Sequence, residues 1–398
     1  MGLDSKTHSL PCSDSCDLHL DHPTEDECVK IWTNTFASWG DSLDLPKYLE
    51  ESRFLTTIPL AKDGGMTTWI LVDKTLARNQ RPILCSCESF YNHSLTSDSD
   101  GNVEEATVHG IASVFCHEDY RRRGYAARHM KELARTLHTW QSDSHQPKVA
   151  GSVLYSDIGK VYYAKLGWTP NATNMHIEFP AMRVPKSSLV RDVPESELSE
   201  LCKRDQAVIR EAMATPAPGV QQRIVILPDL DHMLWHIRKE DFATNHLFKK
   251  IAPAKGAIAG SPGKQVWAIW TRRYYGRHDA ESPDNVLYIL RLVVEGDPTA
   301  NQPRPVNAKE QGGLPDDQVV YLEAVLQAAQ AEAAEWHLDH VELWEPSPYV
   351  QQVISKGQIT HTVMERQDGS VASGLWVGED GHAGKPPVWI NNEHYAWC

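Results

Sequence analysis

Residues 114–140 read VFCHEDYRRRGYAARHMKELARTLHTW and set three consecutive arginines, Arg121, Arg122 and Arg123, against Gly124 in a chain whose net charge is −14. These residue types at this spacing suit one chemistry. A helix that starts directly after a strand-ending loop leaves several backbone N–H groups without partners. With the helix dipole, those groups make an anion site. Gly124 has no side chain to hold a ligand away, and Ala126 is small for the same purpose. Arginines alongside form charge-assisted bonds to phosphate oxygens. The run Arg121, Arg122, Arg123, Gly124, Tyr125, Ala126 and Ala127 is therefore a candidate pyrophosphate cradle.

The elements around it are those a cradle needs. MTTWILVD (66–73), ILCSCESFYNHSL (83–95) and ATVHGIASVFC (106–116) read as strands. A helix is expected from 123 to about 141, with Ala126, Met130, Leu133, Ala134 and Leu137 at helical spacing. KVAGSVLYS is a further strand, DIGKVYYAKLGW a short helix ending at Gly167, and HIEF (176–179) a closing strand. Upstream, Thr24 is expected to cap a helix with Glu27 as its capping-box partner. The composition shifts near Pro185, so the chain is expected to divide into 1–184 and 185–398. In the second part, QVWAIWTRRYYG and NVLYILRLVVEG read as a hairpin, 319 to about 337 as a long helix, and HVELWEPSP as a buried strand. This order repeats the first part without any residue-level repeat. Residues 286–294 answer to 107–114, the helix of 319–337 to that of 123–141, and 341–344 to 149–155.

Composition narrows the function classes. Of the 398 residues, 41% are hydrophobic and 23% charged, the balance of a soluble globular protein. No run nears the ~18 apolar residues of a membrane span. The first residues show no leader signal, Lys6 stands where a myristoylation box wants Ser or Thr, and Cys398 is misplaced for prenylation. Eight cysteines without a CxxC pair suggest a reduced, cytoplasmic chain. Cys12, Cys16, His19 and His22 read as a solvated strip, so no metal is expected. The acidic balance opposes nucleic acid and anionic membrane as partners.

The pattern Arg121, Gly124, Ala126 between a strand and a helix resembles motif A of the GNAT superfamily of acyl-CoA-dependent N-acetyltransferases, whose signature is Arg or Gln, two residues, Gly, one residue, then Gly or Ala. SDIGKVYYAKLGW is similar to that family's next segment, with Ser156 where Asn is usual, Gly159 where Ala is usual, and Tyr162–Tyr163 for Phe–Tyr. GIASVF, SVLYSDIGKVYYAKLGW, a second part of some 200 residues and the terminal YAWC together resemble the fungal lysine N6-acetyltransferase group, which acetylates free L-lysine from acetyl-CoA. The fold implied is mixed α/β: a twisted, mostly antiparallel GNAT sheet flanked by helices, followed by a second, degenerate GNAT-like lobe.

The resemblance implies that acetyl-CoA lies in a splayed opening, its pantetheine arm along Val114, Phe115 and Cys116 and its pyrophosphate on the arginine loop, with Ser156 and Tyr162 nearby. Tyr163 takes the position of the general acid that protonates the leaving thiolate. The position at which many relatives carry a base, 11 residues ahead of Arg121, is Gly110, so that role does not carry over. Glu88 and His93 on the neighbouring strand are the candidates instead, Glu88 equally as an ammonium binder, while alternation points His109 to the other face. Gly110 and Ala112 make the acceptor side roomy, and His394, in the aromatic terminal segment with Asn391, Asn392 and Glu393, is a candidate contact. The start of the second long helix carries Asp316 and Asp317, which would repel a pyrophosphate. Trp267, Trp270, Trp344, Trp376 and Trp389 are expected in the core. The leading expectation is an acetyltransferase acting on a small amine, free lysine first, compatible with a monomer. Another amine or fungal secondary metabolite, a protein acetyltransferase and a non-catalytic acyl-CoA-binding protein remain as alternatives.

Overall fold

The computed structural model describes residues 10–142, 146–277, 279–280, 284–302, 316–357, 359–378 and 384–397. Cys398 and the tip of the Pro- and Gly-rich connection at 303–315 lie outside the described residues.

The first half runs β1 (Leu18–Asp21), α1 (Glu25–Trp39), α2 (Leu45–Leu55), β2 (Met66–Asp73), β3 (Cys85–Asp98), β4 (Val103–Phe115), α3 (Tyr125–Leu137), β5 (Lys148–Ser156), α4 (Val161–Ala164), β6 (Thr169–Pro170) and β7 (Met175–Pro180). The second half repeats that order with one insertion: β8 (Val190–Val193), α5 (Glu195–Met213), the inserted β9 (Gln222–Ile226), α6 (Leu230–Phe248), β10 (Gly256–Ala259), β11 (Val266–Arg273), β12 (Val286–Val294), α7 (Asp316–Glu335), β13 (His340–Trp344), α8 (Pro348–Lys356), β14 (Thr362–Glu365) and β15 (Val371–Trp376). A last strand, β16 (Val388–Trp389), follows.

Two sheets result. One is ordered β1-β2-β3-β4-β5-β15-β6, with β9 on β3 and β16 on β9; the other is ordered β14-β7-β13-β12-β11-β10-β8. Strand for strand the orders correspond, except that β7 and β15 have changed places. The closing strand expected at 176–179 forms, but it pairs with β13 and β14 of the second sheet. In return, β15 pairs with β5 and β6 of the first. A cut at 184/185 would therefore separate β7, β9, β15 and β16 from the sheets in which they pair. Turn signals mark where a strand ends and carry no information about which neighbour it finds.

Local chemistry explains the elements. Thr24 caps α1 and Glu27 completes the capping box, accepting from the Thr24 amide at 3.0 Å. Helix α3 starts at Tyr125 rather than 123 because Arg122 (φ 61) and Gly124 (φ 83) are left-handed. Its Met130, Leu133 and Leu137 are buried against the first sheet, each stabilising by about 1.5–3 kcal/mol. Helix α7 buries Leu322, Val325, Leu326, Ala329 and Ala333 on the second sheet in the same way. Between the sheets a shared core joins Val108 and Val153 to Trp267, Leu290 and Tyr395. The five tryptophans expected in the core are all buried.

Candidate active site

A bulge in β4 sets the site. Glu88 pairs with Ala112 and Ser86 with Phe115, so Ser113 and Val114 together face Cys87. Ser113 takes φ 54, which is uncommon for a residue with a Cβ, and the strand bends there. Parallel pairing of β4 with β5 ends at Ile111 and Leu154, while Tyr155 and Ser156 pair on the other side with β15. The strands diverge from Ala112 onward, and a cavity of ≈ 270 Å³ opens beside the parting.

Glu88, Ala112, Ser113, Val114, Tyr155 and Tyr163 line it from the first sheet and α4. Trp32, Trp39, Tyr48 and Glu51 line it from α1 and α2. The second half contributes Trp235 and Lys239 from α6, Arg273 from β11, and Trp397. The Ser113 hydroxyl donates to Glu88 at 2.9 Å. Burial raises the Glu88 carboxyl above the usual carboxylate range, against the opposing pull of Ser113 and Lys239. Burial likewise pushes the Tyr163 phenol up, with no hydrogen bond among the described residues holding it down. A phenol in that state keeps its proton at neutral pH. Lys239 is paired with Glu51 at 2.7 Å and Arg273 with Asp41 at 2.8 Å.

The arginine loop lies at the start of α3. Arg121, Arg122, Arg123 and Gly124 are exposed. Backbone hydrogen bonds run from the Arg121 amide to Glu118 and next from the Arg128 amide to Gly124, so the intervening amides are free of main-chain partners among the described residues. Arg121 donates to the Cys116 carbonyl at 2.9 Å and lies over the Phe115 ring, which shapes the loop. Arg122 and Arg123 form no ion pair among the described residues. A Cβ at Gly124 would come within 2.7 Å of the Ser13 hydroxyl, so a larger residue would both crowd the loop and shield its amides. Free amides, two unpaired guanidinium groups and a diverging strand pair fit an acyl-CoA.

Other expected site residues are not brought to the cavity. His93 lies an odd number of residues from Glu88 and is exposed on the other side of β3. Gly110 is buried short of the opening, while Ala112 reaches it. The Ser156 side chain is spent on its own turn, donating to the Gly159 carbonyl at 2.8 Å. Tyr162 packs edge-on against Tyr163. His394 is buried between Tyr288 and Trp344 and borders a smaller cleft shared with Arg273 and Trp397. His109 points away, near the Trp140 carbonyl. Cys12 and Cys16 are exposed, on a segment laid against α3 by hydrogen bonds from Tyr125 to Pro11 and from Arg128 to Ser13. Ser113, Trp235, Lys239 and Arg273 carried no signal in the sequence, because a bulge and an interlobe wall are products of packing. Only the aromatic terminal segment hinted at Trp397.

A family model described as LYC1 GNAT-like C-terminal domain matches residues 176–398. The chain is 22% identical over 288 residues to a lysine acetyltransferase of Yarrowia lipolytica, a match covering 62% of this chain and 70% of that protein. It is 23% identical over 183 residues to the uncharacterized protein YGR111W of Saccharomyces cerevisiae, covering 40% of this chain and 44% of that one. Among solved structures, the Saccharomyces cerevisiae N-myristoyltransferase with bound myristoyl-CoA superposes with a TM-score of 0.50 at 8% identity, over 94% of this chain and 84% of that one. This likeness is one of fold. A GCN5-related N-acetyltransferase from Kribbella flavida, 14% identical, superposes with a TM-score of 0.46 over 91% of this chain and 71% of that one. Among the described residues no helix is long and apolar enough to cross a membrane.

Proposed function

We propose, because this chain belongs to the LYC1 GNAT-like family of acyltransferases, that it transfers an acetyl group from acetyl-CoA directly to the side-chain amine of free L-lysine. The observation that carries the reading is the cavity at the parting of β4 and β5, with Glu88 and Tyr163 on its wall and Trp235, Lys239, Arg273 and Trp397 closing it from the second half. Closure of that kind favours a small acceptor over a peptide.

Each residue then has a task. Free amides of the arginine loop, with Arg122 and Arg123, hold the pyrophosphate. The main chain at Val114 and the Cys116 amide bind the pantetheine arm and polarise the acetyl carbonyl. Glu88 binds the lysine ammonium and passes its first proton to solvent, then takes the second from the nitrogen as it attacks. As the new C–N bond forms and the C–S bond breaks, Tyr163 gives its phenolic proton to the departing sulfur, and solvent returns a proton from Glu88 to Tyr163. Arg273 and Lys239 retain N–H donors beyond their present ion pairs and suit the substrate's α-carboxylate. The Yarrowia lipolytica relative, a lysine acetyltransferase by name, supports lysine as the acceptor.

The test is thiol release from acetyl-CoA by the purified chain against free L-lysine, other diamines, polyamines and a histone-tail peptide. A response to lysine alone is expected. A response to another amine with none to lysine overturns the substrate. Tight acetyl-CoA binding without turnover on any amine overturns catalysis and leaves a binding protein.

A further inference from the structure

Away from this cavity, β7 and β13 place two matching tripeptides side by side, His176-Ile177-Glu178 and His340-Val341-Glu342. The strands are antiparallel and Glu178 lies directly opposite Glu342. Alternation puts both histidines and both glutamates on one face, while Ile177 and Val341 enter the core beneath α7. Like charges directly opposite on neighbouring strands destabilise a sheet, so positive charge between them, from a protonated histidine or a bound cation, is favoured.

The geometry supplies a place for it. His176 Nε2 stands 3.0 Å from a Glu178 oxygen, and His340 Nε2 stands 3.3 Å from a Glu342 oxygen. The donor atoms of His176, Glu178 and Glu342 all lie within 4.8 Å of one another. Ligand distances of about 2.0–2.2 Å around zinc give tetrahedral edges of about 3.4 Å, near the His176–Glu178 spacing of 3.0 Å. His176 is 7% exposed and its Nδ1 has no hydrogen-bond partner among the described residues. With the proton on Nδ1, the Nε2 lone pair faces a carboxylate oxygen, an arrangement that a cation between them makes favourable. Trp344 Nε1 donates to the second Glu342 oxygen at 2.8 Å.

We propose that this face of the second sheet binds one divalent transition-metal ion of the zinc type, with His176, Glu178 and Glu342 as ligands and solvent at the fourth position. An imidazole and two carboxylates with one open position suit zinc; magnesium and calcium prefer all-oxygen sites. The ion would fasten β7, the strand given by the first half, to β13 of the second. Its role is structural and does not depend on the substrate assigned above.

The full chain, stripped with chelator, is titrated with zinc chloride by calorimetry and with cobalt(II) by absorption. One ion per chain is expected, with visible cobalt bands of a tetrahedral site and a rise in melting temperature. Glu342→Gln, which keeps shape and is checked by circular dichroism, should weaken zinc at least about tenfold, and His176→Ala at least as much. Cys12→Ser with Cys16→Ser should leave both stoichiometry and affinity unchanged. Absence of one-to-one binding, binding indifferent to Glu342→Gln, or binding lost with the two cysteines each overturns the proposal.

Discussion

The two lobes are built to one plan and differ at one place. In both, a central strand pairs in parallel with the strand that follows its crossover helix: β4 with β5 and β12 with β13. In both, the antiparallel pairing carries a bulge just past the last parallel pair, at Ser113–Val114 in the first lobe and at Leu290 in the second. In the first lobe the parting leads into a cavity. In the second it is filled by the chain's own terminal segment. Glu393 accepts from the Leu292 amide at 3.0 Å and is bound by Arg291, whose guanidinium also holds Asp205. Tyr395 is fully buried beside it and donates to the Ile226 carbonyl. A main-chain amide freed by a bulge takes an acceptor from wherever one is available. The first lobe has a cavity beside those groups, and the second satisfies them internally. The helix starts agree, with Gly124 and free amides at α3 and Asp316 and Asp317 at α7.

That contrast can be broken from the top. Gly124→Glu adds a side chain at φ 83 and a negative charge to the cradle, so acyl-CoA binding should be lost; calorimetry that finds retained affinity would undo the phosphate assignment. Glu88→Gln should lower kcat by about 10²–10⁴ with acetyl-CoA affinity kept. The wild-type rate should fall as pH drops through the raised Glu88 value, and the variant should lack that limb. Because the folded-state value is raised, Glu88 favours folding fully at low pH and loses that contribution as pH rises through its folded value. The variant should therefore melt higher at neutral pH, and a lower melting temperature would refute the burial argument. Tyr163→Phe should slow turnover at least about tenfold, with unchanged turnover removing the phenol from the mechanism. In the second lobe, Glu393→Gln should cost about 1–3 kcal/mol of stability, read by denaturant, because it weakens a buried charge-assisted contact. The smallest effect belongs to Asp316→Asn with Asp317→Asn, expected within about 0.5 kcal/mol and still binding one acyl-CoA per chain. A second equivalent would show that charge alone, not the filled parting, keeps the second lobe empty.

The sequence by itself determined the elements and marked the arginine loop at the start of α3. Period-two and period-3.6 patterns, the Thr24–Glu27 box and the arginine loop are local, and local chemistry acts over a few residues. The repeated order of strands and helices was visible for the same reason, and so was Glu88, which stands on the strand beside the motif. Tertiary structure alone decided the rest. Pairing partners are chosen by packing across the whole chain, so the exchange of β7 for β15 left no mark on either strand. The bulge that turns Ser113 toward Glu88 depends on the register between two strands. The wall of Trp235, Lys239, Arg273 and Trp397 exists because a shared core presses the lobes together, and His176-Ile177-Glu178 meets His340-Val341-Glu342 because an exchanged strand carries one to the other.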